Sequence, residues 1–294
     1  MSEALSKTEA IVKKGKALGA DEVLASTTFG RYRQTRFSNN EVDITVAWND
    51  YVTNVALSWQ KRFVATQIHN FEKVDETMKR LYRLAKVSKE NPMYGGFAKG
   101  KFKYNKSKAD KSLENLDQAD YVFQAIEAAR KEAGPDLNAG GILFTKLEDV
   151  YLVSSEGPMG EDCRSAVEFS IRAFSQREAS GHGVECSSTI KGFDPARAGK
   201  KAGEIAKRAK NPKDGVEGRY DVIFDPLFTG ALLGMWGGMT SAFAVMIQQS
   251  VFVDKLGQKV ASDIVTMRDV PASYSMSNRV FDDEGTPVKE NVLI

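Results

Sequence analysis

Between Val23 and about Ile68, apolar and polar residues alternate with a period of two, the pattern of strands buried on one side. In YVTNVALSWQ, Tyr51, Thr53, Val55, Leu57 and Trp59 share one face and Asn54, Ala56 and Ser58 the other. Asn39-Asn40 and Asn49-Asp50 stand between such runs, and residues tolerant of left-handed backbone at those places predict hairpin turns. The result is a meander of three or four strands. A helix precedes it, marked by the spacing of Leu5, Ile11 and Leu18.

From Asp75 the period becomes helical, with Met78, Leu81, Tyr82 and Ala85 on one side, and Asn91-Pro92 ends the helix because the residue before a proline resists helical geometry. A loop rich in Gly and Lys follows, NPMYGGFAKGKFKYNKSKADK. A second helix is predicted over Leu116 to Ala133, closed by Gly134-Pro135, then strands over Ile142 to Thr145, Val150 to Ser154, Val167 to Phe174 and Val184 to Ile190. Asp194-Pro195 offers an N-cap and a first-turn proline for a third helix ending near Lys210. The two strand sets, each preceded by a helix, are compatible with a distant duplication. The expected fold class is α+β. A first domain, residues 1–213, holds antiparallel sheets with flanking helices; after NPKDGVEG, residues 214–294 start a second, β-rich domain that opens on RYDVIFDP as a buried strand.

Pro226 to Val253 contains no Asp, Glu, Lys, Arg or His in a chain that is 27% charged. Gly230 to Ile247 approaches the minimum of ~17 residues for a membrane span, and Gly230-x-x-x-Gly234 fits a packing motif of such spans. Gly237-Gly238, Thr240-Ser241, Gln248-Gln249 and the absence of a positive flank argue against insertion. Wound as a helix, the stretch has a bulky face of Leu232, Met235, Trp236, Met239, Phe243 and Met246 and a small face of Gly230, Gly234, Gly237, Ser241 and Ala244. That arrangement predicts a core helix packed on both sides, with no membrane involved.

Composition narrows the chemistry. With 42% apolar and 10% aromatic residues over 294, the chain reads as globular and long enough for two cores, and a net charge of +2 does not call for a polyanion. The N-terminal residues lack the apolar centre of a secretory signal, and Cys163 and Cys186 form no framework spacing, so a cytoplasmic protein with free thiols is expected. The only histidines are His69 and His182. His182 and Cys186 suggest a metal or a Cys/His nucleophile, but four residues along a strand is too far for joint ligation of one ion; His69 reads as a strand-end residue with a satisfied hydrogen bond. Lys99, Lys101, Lys103, Lys106, Lys108 and Lys111 around Phe102 and Tyr104 describe either a solvated, mobile loop or a nucleic-acid track. Arg197, Lys200, Lys201, Lys207 and Arg208 read as a solvent face of their helix. FDDEGTP gathers Asp282, Asp283 and Glu284 ahead of Gly285, a constellation suited to acid/base work, to a hard cation, or to a capped turn.

FDDEGTPVKENVLI closely resembles a motif of the TldD/PmbA family, the modulator of DNA gyrase group, which includes cytosolic metallopeptidases. RFSNNEV at Arg36 to Val42 resembles that family's N-terminal strand-turn signature, and RYDVIFDPLFTGALL and VDKLGQKVASDIVTMRDVP follow in the family's order. The resemblance covers essentially the whole chain. It implies a two-subunit system, in which a TldD-type subunit holds zinc on a His-Glu-x-x-x-His helix and a PmbA-type subunit lacks that motif. Two imidazoles one turn apart can share an ion while the intervening carboxylate activates its water. Here the helix that should carry the motif is the uncharged stretch, so the resemblance points to the PmbA-like side, with no catalytic residue and no metal ligand carried over. It implies zinc only in a TldD-type partner, association with that partner or as a dimer of itself, an extended peptide as substrate, and a low expectation of nucleic acid. Asp282, Asp283, Glu284 and Gly285 remain the candidate substrate or structural loop. Family members continue beyond this motif, so a truncated or naturally short member with open strand edges is expected. The alternative function is a nucleic-acid or topoisomerase-associated binding protein.

Overall fold

The computed structural model describes residues 2–271, 276 and 278–294. Contacts divide them into two units, one of residues 1–212 and 272–288 and the other of 213–271 and 289–294. The hairpin around FDDEGTP therefore belongs with the first unit.

In the first unit, α1 (Glu3–Ala17) leads into β1 (Glu22–Ser38), β2 (Glu41–Trp59), β3 (Arg62–Ile68) and α2 (Val74–Val87). The same succession then repeats as α3 (Gln118–Ala133), β4 (Asn138–Ser154), β5 (Met159–Gln176), β6 (Ala179–Ser187) and α4 (Pro195–Arg208). Equivalent elements start a nearly constant distance apart: 3 and 118 for the leading helices, 22 and 138 for the first strands, 74 and 195 for the closing helices. The two strand sets do not form separate sheets. They join as one antiparallel six-stranded sheet in the order β3-β2-β1-β4-β5-β6, with the β1–β4 ladder at its centre. The order reads the same outward from that ladder in both directions, which is the arrangement a duplicated helix-three-strands-helix unit produces.

Local chemistry explains most of the elements. Asn39 and Asn40 take φ of 50° and 66°, so the β1–β2 hairpin turns where the Asn pair predicts it. Asn49-Asp50 does not turn: both residues lie inside β2, paired with Arg31 and Gly30, and the next turn is made instead by Gln60 and Lys61 at φ of 47° and 59°. Asp194 accepts from Ala196 N–H (3.0 Å) ahead of Pro195, the predicted start of α4. The strands are longer than their apolar runs, because pairing on both sides carries β4 unbroken through KLED.

The helices cover the sheet face lined by Val23, Ala25, Val55 and Leu57 in the first half and by Leu143, Val167, Phe169 and Ile171 in the second. Each half has its own apolar core, yet Phe37 at the end of β1 belongs to the second and Val153 at the end of β4 to the first. Packing is very close where α4 meets β6. A Cβ at Gly183 would lie 2.0 Å from the Ala198 carbonyl oxygen, so only hydrogen fits there.

In the second unit, α5 (Pro226–Met239) and α6 (Ala242–Met246) occupy the uncharged stretch, and two-residue strands β7 (Arg268–Asp269) and β8 (Asn291–Val292) pair nearby. The core helix expected there forms, but no residue of α5 or α6 is buried. A helix apolar all round has no preferred inner side, and among the described residues only a loose cleft with Ile264 to Asp269 and Leu293 flanks it. RYDVIFDP is not a buried strand: Arg219 to Asp225 is irregular and exposed, with Ile223 at 99%, because among the described residues no strand lies beside it to take its hydrogen bonds.

Gly183→Val should force α4 off the sheet and lower stability toward the upper end of the about 1–3 kcal/mol typical of overpacking, read as a reduced denaturation midpoint with the slope unchanged.

Candidate functional site

The lysine-rich segment is an ordered strap that crosses one end of the sheet. Asn91 N–H donates to Lys61 O (3.0 Å) at the β2–β3 turn. Tyr94 Oη donates to Glu22 Oε2 (2.7 Å), and Gly100 N–H donates to Glu156 O (3.0 Å). Ser107 Oγ donates to Asp162 Oδ1 (2.7 Å) while accepting from Cys163 N–H (2.8 Å). Asp110 closes the path, its N–H donating to Ser165 Oγ (2.8 Å) and its Oδ2 accepting from Ile190 N–H (2.8 Å). Burial raises the Asp110 pKa, but hydrogen bonds from Ser112 and Ile190 outweigh it and hold the carboxyl below its ordinary value. The strap's lysines point to solvent, whereas Tyr104 is half-buried.

On this strap sits the hairpin of Arg279 to Val288. Phe281 bridges Pro287, and Val288 N–H donates to Val280 O (3.3 Å). Val280 and Phe281 are buried with Leu24, Phe97, Val150 and Leu152, on the sheet face opposite the helices. Phe281 meets Tyr104 edge-on at 5.2 Å and lies under the Arg164 guanidinium at 5.9 Å. Asp162 is the tie beneath them. Its side chain is 2% exposed, pairs with Arg164 (2.8 Å), and accepts from Ser107 Oγ and from Val280 N–H (3.2 Å).

The four residues singled out in FDDEGTP are thus brought together, each in its own role. Asp282 Oδ1 accepts from the N–H groups of Glu284 (3.0 Å) and Thr286 (2.8 Å), so its carboxylate holds the turn. Glu284 Oε2 accepts from Ala98 N–H (2.9 Å), fastening hairpin to strap. Gly285 turns at φ +87°, where a Cβ would sit 2.6 Å from Leu152, and its carbonyl accepts from Tyr104 Oη (2.7 Å). Burial and the Asp282 carboxylate push the Tyr104 phenol above its ordinary value, keeping it a donor. Asp283 is 96% exposed and paired with Arg279 at 3.2 Å. Asp283, which accepts no backbone N–H bond among the described residues, lies beside a cleft of about 360 Å³ lined by Leu24, Asn54, Ala56 and Gln67. The sequence signal for this site was the acidic cluster; Asp162 and Tyr104, which hold it, carried no such signal.

The remaining candidates stay apart. His182 lies opposite Arg172 and within 2.9 Å of Ser170 Oγ; burial and Arg172 lower its pKa. Cys186 lies opposite Glu168, and burial with the Glu168 and Glu185 carboxylates raises its thiol. Burial and Asp149 push the Cys163 thiol up to about 12, so neither cysteine is a ready thiolate. His69 is exposed just past β3 and makes no side-chain hydrogen bond among the described residues. Among those residues, no three His, Cys, Asp or Glu side chains are placed to hold a metal ion. Zinc needs imidazole, thiolate or carboxylate donors, and Pro226 to Val253 carries none, so α5 does not fit that ion. No described helix is long and apolar enough to cross a membrane.

Residues 109–210 match the family model for the PmbA/TldA metallopeptidase central domain, and residues 217–294 that for the PmbA/TldA metallopeptidase C-terminal domain. A metalloprotease of Methanothermobacter thermautotrophicus is 28% identical over 153 residues, 48% of this chain and 33% of that protein. A metalloprotease TldD homolog of Buchnera aphidicola is 24% identical over 199 residues, 62% of this chain and 41% of that protein. The chain thus spans less than half the length of the curated relatives it matches. Among solved structures, a protein described as a modulator of DNA gyrase from Bacteroides thetaiotaomicron superposes with a TM-score of 0.85 at 18% identity, over 100% of this chain and 70% of that one. TldE from Thermococcus kodakarensis superposes with a TM-score of 0.80 at 19% identity, over 98% and 67%. These likenesses establish the fold.

Asp162→Ala should leave Val280 N–H, Ser107 and Arg164 without their common partner, costing about 3–5 kcal/mol, with faster amide exchange across 279–288 before global unfolding. Because the folded Asp110 carboxyl is held below 3.8, its contribution is intact above that pH and lost as pH falls through the folded value. The protection factor of the Ile190 amide, with the intrinsic pH dependence of exchange divided out, should therefore fall on acidification, and not in Asp110→Asn.

Proposed function

Since the chain belongs to the TldD/PmbA family of metallopeptidases, we propose that it is a PmbA-like, non-catalytic component of a cytoplasmic TldD/PmbA-type peptidase complex acting on unfolded peptides. The observation that carries this reading is the chemistry of α5. By the resemblance the zinc helix follows Asp225-Pro226, and here that helix runs through Pro226–Met239 without one imidazole or carboxylate. A metal-activated water needs both a ligand set and a general base. Neither can come from these side chains.

The chain's part in such a complex is to shape the chamber and hold substrate while a TldD-type subunit supplies zinc and the hydrolytic water. TldE from Thermococcus kodakarensis, similar in fold, supports the placement on the partner side of the pair. The 282–285 loop fits a structural part in this assembly better than an acid/base one. Two of its three carboxylates are occupied by backbone N–H groups, which orient them toward the turn and the strap. The division at 213/214 follows the same reading: residues 1–213 form the scaffold and 214–294 begin the domain that bears zinc in a TldD-type partner. The nucleic-acid alternative gains no support from the strap, since Tyr104 is engaged by Phe281 and Gly285 and is not free to stack on a base.

Purified alone, the chain should neither retain stoichiometric zinc after dialysis nor cleave an unstructured peptide. Added to a TldD-type subunit, it should raise peptide cleavage. Stoichiometric zinc with hydrolysis by the chain alone would overturn the assignment, and metal analysis beside a fluorogenic peptide assay distinguishes the outcomes.

A further inference from the structure

Where α2 ends, the first unit puts large apolar side chains into solvent. Val87, the last residue of α2, is 82% exposed, and Met93, just past Asn91-Pro92, is 71% exposed. Leu84 on the same helix and Phe63 on β3 are exposed as well. Hydrogen bonds hold these residues at one corner of the sheet. Arg62 Nε donates to Ser88 O (3.2 Å), and the Asn91 N–H bond to Lys61 O fixes the chain after α2 to the β2–β3 turn. Phe63 packs on Tyr94 at 5.6 Å, next to Met93 in the chain.

The fold does not call for these apolar tips. α4 is the counterpart of α2 in the second half, 14 residues long like it, and it ends on Arg208 where α2 ends on Val87. The chain then continues as AKNPKDG, against SKENPMY after α2, with no large apolar residue in the place of Met93. Single exposed apolar residues are ordinary, but a cluster at the end of one half, missing from its counterpart, marks a surface that meets something.

Charge around the tips is one-sided. Between Lys79 and Met93, Lys79, Arg80, Arg83, Lys86 and Lys89 stand against Glu90 alone, and the turn adds Lys61 and Arg62. The acids Asp21 and Glu22 are engaged within the fold, accepting from Gln60 N–H and Tyr94 Oη. Behind the tips lie the half-buried rings of Trp59 and Tyr82. The Arg62 guanidinium sits 5.3 Å from the Trp59 ring, and Lys86 Nζ 5.7 Å from Trp59 and 5.6 Å from Tyr82. Projecting apolar tips, then rings with a polar edge, then cations on long stems is the succession suited to the boundary of a bilayer.

We infer that this corner docks peripherally on an anionic lipid surface, Val87 and Met93 entering the acyl boundary while the cations meet headgroup phosphates. Docking of this kind needs no spanning segment, and no described helix is one. Side chains as exposed as Val87 and Met93 project from the surface instead of lining a hollow. A stable protein partner covers about 800 Å² on each side and requires a broad matching face. A bilayer takes in separate side chains without such a match, and its phosphates supply the charge that the seven cations face. This inference does not depend on the peptidase reading.

The test is co-sedimentation of the full chain with unilamellar vesicles, one set of phosphatidylcholine alone and one of equal parts phosphatidylcholine and phosphatidylglycerol. The chain should bind the mixed vesicles and not those of phosphatidylcholine alone. Added salt should release it, since screening cuts the reach of surface charge to about 8 Å at physiological ionic strength. Val87→Glu and Met93→Glu should each weaken binding by roughly tenfold or more, because an anion replaces an inserted side chain. Phe123→Glu, at an exposed apolar position on α3, should leave binding unchanged. Val87→Cys in a Cys186→Ser background, labelled with a solvent-sensitive fluorophore, gives a second reading: its emission should shift to the blue on mixed vesicles. Equal binding to both vesicle sets, Val87→Glu and Met93→Glu binding like wild type, Phe123→Glu losing as much as they do, or an unmoved fluorophore would each overturn the inference. So would failure to bind mixed vesicles, which would leave the corner to an acidic protein.

Discussion

The antiparallel ladder between β1 and β4, from Leu24–Ser154 to Phe37–Gly141, is the joint on which the first unit depends. Each strand runs out of its own half and ends in the core of the other, Phe37 against Phe169 and Val153 among the residues around Val23 and Leu57. The turns lock the same exchange. Asn40 Nδ2 donates to Leu137 O (2.9 Å) and Asn40 Oδ1 accepts from Ala139 N–H (2.9 Å) at one end, while Ser155 Oγ accepts from Val23 N–H (2.9 Å) at the other. Neither half can leave without exposing a large side chain of its own and opening its neighbour's core. Polar groups reinforce the seam under the helices: Thr8 reaches Thr27, and Gln118 bridges Thr35 and Thr145 within the sheet.

Once the two halves are fixed, one end of the sheet becomes a platform. Leu24 and Leu152 stand beside each other only because β1 and β4 are in register there, and they form the floor on which Phe281 rests. The strap passes over this floor and the hairpin closes it. The acidic cluster in the hairpin is consequently bound into the fold through backbone N–H groups of the turn and the strap. Carboxylates that accept backbone N–H bonds are held in one orientation, and Asp162, buried beneath them, ties strap, strand and hairpin through one side chain. The second unit presents the opposite case, an apolar helix with no charged side chain and no buried residue.

Much of this was legible along the chain. Alternation assigned the β2 residues Val55, Leu57 and Trp59 to the helix-covered face; Asn39-Asn40, Gly134-Pro135 and Asp194-Pro195 marked real boundaries, because each signal is satisfied by atoms within a few residues. The same local grammar misread Asn49-Asp50, where ladder bonds from β1 hold both residues extended, and RYDVIFDP, whose alternation describes a strand only if another strand lies beside it. The strap read as a mobile lysine loop, since its anchors Glu22, Glu156 and Asp162 are far away in sequence and leave no periodic trace.

Sequence by itself determined which segments wind or extend, where α4 begins, and that the helix after Asp225 has no group able to bind or activate a metal-bound water; these follow from propensity, capping and side-chain chemistry, which act over a few residues. Tertiary structure alone decided that two strand sets make one sheet, that Asp282 and Glu284 accept hydrogen bonds from backbone N–H groups, and that the outer edge of β2 from Glu41 to Val52 has no neighbour among the described residues. Those outcomes depend on which distant groups meet, and a pairing register or an uncovered edge is a property of two segments together, carried by neither one alone.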